Sequence, residues 1–317
     1  MELVPGSDRI VATASADPVA GRVRWAPAKS IWIGAMSLAA LLLCPVFVTP
    51  GAVALFLATS AITLCAGHSL GMHRRLIHNS FDCPRWLEYT GVYLGVLVGM
   101  AGPIGMIRLH DFRDWAQRQP ACHDFFAHRG GFWRDGWHQL HCELALADPP
   151  LFRLEPRIAG DRFYWFLERT WMWQQLPWAI AFFAIGGLPW LVWAVCARVA
   201  VCVTGHWLVG HFAHLEGEQS WIVEGACVQG YDIRVAGLIS MGESWHNNHH
   251  AYPGSAKLGL ERGQIDLGWT LLRQLERGGL AWDIVLPHHL PHRAALKQIR
   301  PDGAVSVATA RSRLARS

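Results

Sequence analysis

Seven histidines stand in short clusters at the ends of apolar stretches: His73 and His78 in HRRLIH, His110 in HDFRDW, His214 in GHFAH, and His246, His249 and His250 in WHNNHH. Neutral imidazole is the commonest side-chain ligand for a catalytic transition metal. Histidines gathered at a membrane surface would hold a metal that acts on a molecule dissolved in the bilayer. In WHNNHH, His246 and His250 are i, i+4 and His249 is i+3 from His246, so a helix would project all three from one face. Asn247 and Asn248 are then expected to hydrogen-bond the imidazoles and fix their tautomers. His110 and Asp114 are also i, i+4. His73 and His78 differ, because five residues of α-helix turn through about 500° and leave the rings about 140° apart. They are expected to reach two ions, or to flank one at a frayed helix end. His68 reads as a core histidine, and His206 and His211 strengthen the case for ligation near His214. His288, His289 and His292 read as surface.

These side chains need elements to position them. Apolar residues make up 52% of the 317 and charged residues 16%, below the soluble norm of roughly 25%. The deficit points to membrane spans, and the 17 Trp suit membrane interfaces. A net charge of +4 without a basic run argues against nucleic acid as a partner. The 8 Cys include no CxxC pair and read as buried thiols of a reducing compartment.

Residues 31–66 carry no charge, and Thr49-Pro50-Gly51 breaks them into two helices, about 31–48 and 51–70. A second uncharged stretch, broken at Gly186-Gly187-Leu188-Pro189, predicts spans of about 171–186 and 189–212. Neither hairpin turn holds Lys or Arg, so the positive-inside rule puts both termini and every histidine cluster on the cytoplasmic side. The apolar residues 87–109 are expected to form an interfacial or re-entrant segment. Residues 1–28 read as a disordered tail, 29–287 as one membrane domain with cytosolic segments 73–169 and 213–287, and 288–317 as a second tail. Arg198, inside the fourth span, either snorkels or contacts substrate or an acidic partner.

The motifs together resemble those of the membrane fatty-acyl desaturases of the acyl-CoA Δ9 type. GMHRRLIHNSF is similar to the family's GxHRLxxHRSF. RVAVCVTGHWLVGHFAH is similar to its R-x8-WLVNSxAH, with Arg198, Trp207 and His214 at matching spacing. MGESWHNNHHAYPGSAKLGL is similar to LGEGWHNYHHxxPxSxxxGL, and DFFAHRGGFWRDGW fits the stretch between the second box and the third span. The resemblance covers roughly residues 30–287. It implies four spans with a cytosolic helical cap, two irons held by nine histidines and a water-linked Asn, O₂, and two electrons. The ligands so implied are His73, His78, His110, His214, His246, His249 and His250. The second box departs from HRxHH: it reads His110-Asp111-Phe112-Arg113-Asp114, and the family Asn is Gly210, followed by His211. Asp114 is a competent replacement ligand. Arginine stays protonated and cannot ligate, and Asp111 or Asp124 would have to offset its charge. His123, His128 and His211 are the candidates for the vacancy. Three outcomes stay open: a two-iron site with altered ligands, one weakened iron, or a centre that no longer oxidises.

The expectation is thus an all-α integral membrane protein of two helical hairpins and a cytosolic cap, both termini cytoplasmic. It would desaturate a fatty-acyl chain carried on CoA or lipid. A related hydroxylase, or a non-catalytic lipid- or metal-binding homologue, is the alternative. Two Fe ions would be the cofactor, and electrons would come from a separate protein of ferredoxin, rubredoxin or cytochrome b5 type. Arg74, Arg75, Arg108, Trp115, Arg198 and Trp207 are the candidates for substrate binding.

Overall fold

The computed structural model describes residues 9–299, which are mostly helical. Helix α1 (Pro27–Leu43) and helix α2 (Pro50–Ile62) form the first apolar hairpin. Thr49 starts α2 by accepting a hydrogen bond from the Ala52 N–H at 3.1 Å, with Pro50 at the first helical position. The chain then runs without a break into a π-helix, Thr63–Ile77. Helix α8 (Gln175–Leu191) continues through a short π segment into α9 (Arg198–Leu215). It is kinked at Gly187 (φ 64°, ψ −157°), a backbone conformation open essentially to glycine alone. Four apolar helical segments result, and two continuous helices, Pro50–Ile77 and Gln175–Leu215, are long and apolar enough to cross a membrane. Their outer faces and that of α1 expose large apolar side chains such as Leu41 (73%) and Ile185 (72%), which call for an apolar surrounding.

Residues 87–109 do not form one helix. Helix α3 (Arg85–Val96) ends in a turn at Gly99 (φ +88°), and α4 starts at Pro103 and runs to Gln117. Helix α3 lies backbone to backbone on the π-helix, because Gly67 and Gly71 face Gly91 and Gly95. A Cβ on Gly71 would collide with the Gly91 backbone. Met72, Leu76, Val92, Val96, Ile107 and Leu167 close the main core between the π-helix, α3, α4 and α7 (Arg162–Thr170). Arg198 is buried and donates to the Leu97 and Ala194 carbonyls and to Gln175 Oε1. Its donors join α9 to the end of α3, so it neither snorkels nor is free for substrate.

The remaining elements are short. Helices α5 (Phe132–His141) and α6 (Pro156–Ala159) follow α4, and α10 (His246–Ala251) and α11 (Leu267–Arg277) follow α9. Three two-stranded antiparallel sheets tie them together: β1 (Ile10–Val11) with β4 (Leu151–Phe152), β2 (Gly21–Trp25) with β3 (Cys142–Leu146), and β5 (Trp221–Val223) with β6 (Leu296–Gln298). These pairings correct the expectation of loose tails. Residues 9–28 and 288–299 pack on the body, while 1–8 and 300–317 lie outside the described residues. Arg9 is a buried anchor: Nε and Nη2 meet Glu155 at 2.6 and 2.8 Å, and Nη1 meets Asp111 at 3.2 Å and the Ile77 carbonyl at 2.9 Å.

Candidate metal centre

The seven histidines converge into two adjacent sets. His73, His78, His110 and His249 form the first, His214, His246 and His250 the second, and within each set the ligand atoms all lie within 4.8 Å of one another. The π-helix explains how His73 and His78 share one set, against the α-helical estimate. The His78 N–H bonds the His73 carbonyl at 3.0 Å, and an i→i+5 turn brings residues five apart onto one face. Their ring centroids are 4.8 Å apart. His110 comes from the middle of α4 and His214 from the last turn of α9. Helix α10 serves both sets: His249 faces the first, His246 and His250 the second.

The nitrogens present themselves as ligands. His78 Nε2 and His110 Nε2 are 3.3 Å apart, His246 Nε2 and His214 Nε2 3.0 Å, and His250 Nε2 and His246 Nε2 3.1 Å. Two nitrogens held about 2.1 Å from one ion at right or tetrahedral angles sit about 3.0–3.5 Å apart. Burial holds His246 and His249 well below the ordinary imidazole range and His250 at about 4, so all three are neutral at pH 7 and keep a lone pair. Nδ1 of His78 and of His249 are buried without a hydrogen-bond partner. The donor set therefore fits transition metal ions, one in each set.

Carboxylates and carbonyls orient the rings from behind. Glu243 Oε2 lies 2.5 Å from His73 Nδ1, and Oε1 accepts from Ser69 Oγ (2.6 Å) and Arg74 Nη1 (2.9 Å). Burial pushes the Glu243 pKa up, but His73 and Arg74 override it and hold the carboxyl well below the usual range. Asp111 Oδ1 lies 3.4 Å from His110 Nδ1, and the Gly210 carbonyl lies 2.6 Å from His214 Nδ1. Asp232 clamps the start of α10: Oδ1 accepts from the Asn247 and Asn248 N–H groups at 2.8 and 3.4 Å, and Oδ2 from Gln264 at 3.0 Å. The Asn247 and Asn248 side chains bond the Trp221, Gly230 and Leu258 carbonyls and Gln264. They anchor α10 to its surroundings, in place of the imidazole contacts expected of them.

Asp114 stands beside both sets without joining either. Its Oδ1 is 4.0 Å from His110 Nε2, and its Oδ2 accepts from Arg118 at 2.8 Å. Arg113 is turned away to Gln139 Oε1 at 3.0 Å. His68 and His206 pack edge to face on each other, 5.0 Å apart, outside the two sets. His123 accepts from the Phe125 N–H, and His288, His289 and His292 are exposed.

Most of the expected substrate-binding side chains have protein partners instead. Arg74 is fully buried against Ala256, Glu243 and Asp266, Arg75 is bound to Glu88, Asp82 and Phe81, and Trp207 donates to Asp135. Trp115 is buried in the core, and Arg108 is exposed over the Phe112 ring. Of the groups that sequence reading passed over, Glu243 stood in plain view three residues before His246. Asp232, Gln264 and Arg9 carry no local signal.

The fold and the site define a protein built on apolar helices whose histidine sets could hold metal ions. No protein-family model matches the chain. Named relatives are similar to it over most of its length. An sn-1 stearoyl-lipid 9-desaturase of Synechocystis sp. is 32% identical over 78% of this chain and 76% of its own. A desaturase of the same name from Anabaena variabilis is 34% identical over 71% and 80%. A chloroplastic palmitoyl-monogalactosyldiacylglycerol delta-7 desaturase of Arabidopsis thaliana is 32% identical over 71% of this chain, which spans 60% of that longer protein. The chain belongs to the fatty-acyl desaturase family, a family of oxidoreductases.

Proposed function

We propose that this protein is an O₂-dependent two-iron desaturase that introduces a double bond into a fatty-acyl chain. The observation that carries the reading is the convergence of seven histidines from four separate segments into two adjacent sets, buried or half-buried, at the ends of the apolar helices. His73, His78, His110 and His249 would hold one iron, and His214, His246 and His250, with Asp114 beside them, the other. Bound iron, with O₂ and two electrons, supplies the oxidising power that an unactivated methylene requires. The chain's own part is positional. The neutral imidazoles of His246, His249 and His250 are prepared to bind without first losing a proton. Glu243 and Asp111 fix the rings, and burial excludes water that would otherwise quench an oxidant.

The relatives' names favour an acyl chain attached to a lipid, with the acyl-CoA form as the alternative carrier. The four apolar helical segments would span the bilayer as two hairpins, with both termini and the histidine sets on the cytoplasmic side. A separate electron-transfer protein of ferredoxin, rubredoxin or cytochrome b5 type would supply the electrons. The half-buried Arg113, in place of a family histidine, favours a second reading in which the centre binds metal or lipid without oxidising it. Lipid profiles of a host expressing this chain and its His250→Ala variant separate the two. A new unsaturated acyl species only with the unaltered chain supports the desaturase, whereas identical profiles alongside full iron content support the non-catalytic homologue.

A further inference from the structure

A third histidine group lies against the second set, at a position the first two do not use. His128 is 1% exposed and follows α4 in the loop before α5. Its Nδ1 lies 3.0 Å from Asp135 Oδ2, which is also 2.7 Å from His211 Nδ1 and accepts from Trp207 Nε1 at 2.8 Å. With the protons on both Nδ1 atoms, that oxygen accepts three hydrogen bonds and serves as a hub that orients both rings. The pairing fixes the His128 tautomer. With the proton on Nδ1, the lone pair is on Nε2, and that atom is buried with no hydrogen-bond partner. A buried acceptor left empty is costly, and something must offset that cost.

The surroundings show what the lone pair is for. The His128 ring lies parallel to the His214 ring, 5.0 Å away with 5° between planes. Its Cε1–Nε2 edge occupies the space beside Gly210, where an added Cβ would touch those atoms at 3.5 and 3.6 Å. Gly210 in turn carries the carbonyl that orients His214. His128 also holds a left-handed backbone (φ +53°), which a non-glycine residue adopts only where the surroundings over-determine it. We propose that His128, oriented by Asp135, is a further nitrogen ligand of the second metal set, in the space that Gly210 leaves open beside His214. The set would then hold four imidazoles with Asp114 at its edge, which makes good the ligand lost at Arg113.

The proposal rests on the metal-centre reading above, and its test separates the two. Full-length protein in detergent is loaded anaerobically with Fe(II), passed over a chelator, and assayed for iron per chain. The unaltered chain should hold about two. His128→Gln should hold one, and His73→Ala/His128→Gln none, so the iron kept by the first set reports that the single variant is folded. Asp135→Asn should weaken the second iron roughly 10–100-fold, the usual effect of losing a ligand's hydrogen-bond partner, and His123→Gln should change nothing. If the unaltered chain takes up no iron, the metal-centre reading itself is wrong. If His128→Gln keeps both irons as tightly as the unaltered chain, or loses both, the ligand assignment is overturned.

Discussion

Replacing Glu243 by Gln probes the first histidine set with almost no change of shape. The carboxylate has two faces with different duties: Oε2 meets His73 Nδ1, and Oε1 accepts from Ser69 and Arg74. An amide has one oxygen and one NH₂ group. If the oxygen turns to Ser69 and Arg74, the NH₂ faces His73 Nδ1 and forces the proton onto Nε2, which then has no lone pair for metal. If the oxygen turns to His73, the NH₂ opposes the Arg74 guanidinium, and a buried donor is stranded at about 1–3 kcal/mol. Either orientation weakens the set. Losing such a partner costs about 10–100-fold in metal affinity, or about 1.4–2.8 kcal/mol at 1.4 kcal/mol per tenfold. Chelator competition on Fe(II)-loaded protein measures the loss, and the second set supplies the internal reference. Iron held by Glu243→Gln with unchanged affinity would refute the claim that Glu243 sets the His73 tautomer.

Other outcomes follow from the same contacts. Asp232→Ala removes the acceptor for the Asn247 and Asn248 N–H groups and for Gln264, so α10 should fray and both sets weaken together. Iron titration should show two depressed affinities, and a change in only one set would contradict the clamp. Gly71→Ala drives a methyl into the Gly91 backbone, and its melting temperature in detergent should fall by several degrees. A melting curve like that of the unaltered protein would mean the α3 contact is loose. In metal-free protein, burial holds both His128 and His250 at about 4, below the ordinary 6.5. A depressed imidazole stabilises the fold fully above pH 6.5, and that contribution is lost as pH falls toward 4. The apoprotein's melting temperature should drop across that window, and a flat profile there would show that these rings stay solvated.

How much of this was legible in the sequence depended on the range of the forces involved. The breaks at Thr49-Pro50-Gly51 and Gly186–Pro189 were readable because proline and glycine act within a few residues, and the structure breaks the helices at both. The histidines of the two sets were readable by type and cluster. Their division between sets was not, because the i→i+5 register of residues 63–77 arises where α3 packs through Gly67 and Gly71, a tertiary contact invisible to local periodicity. The ordering of residues 9–28 escaped for a similar reason: a polar, acid-bearing segment looks solvated until Arg9 finds Asp111 and Glu155, more than a hundred residues away. Asp135 stood in a stretch that resembled the family, but nothing local pointed to His128 and His211 as its partners.

Arg9 has a consequence for how the protein is made. Its acceptors are the Leu76 and Ile77 carbonyls beside His78, Asp111 behind His110, and Glu155. During translation, at about 5–20 residues per second, Arg9 emerges many seconds before Glu155 exists. The buckle behind the first histidine set therefore closes late, after the whole apolar hairpin of the first half has been made.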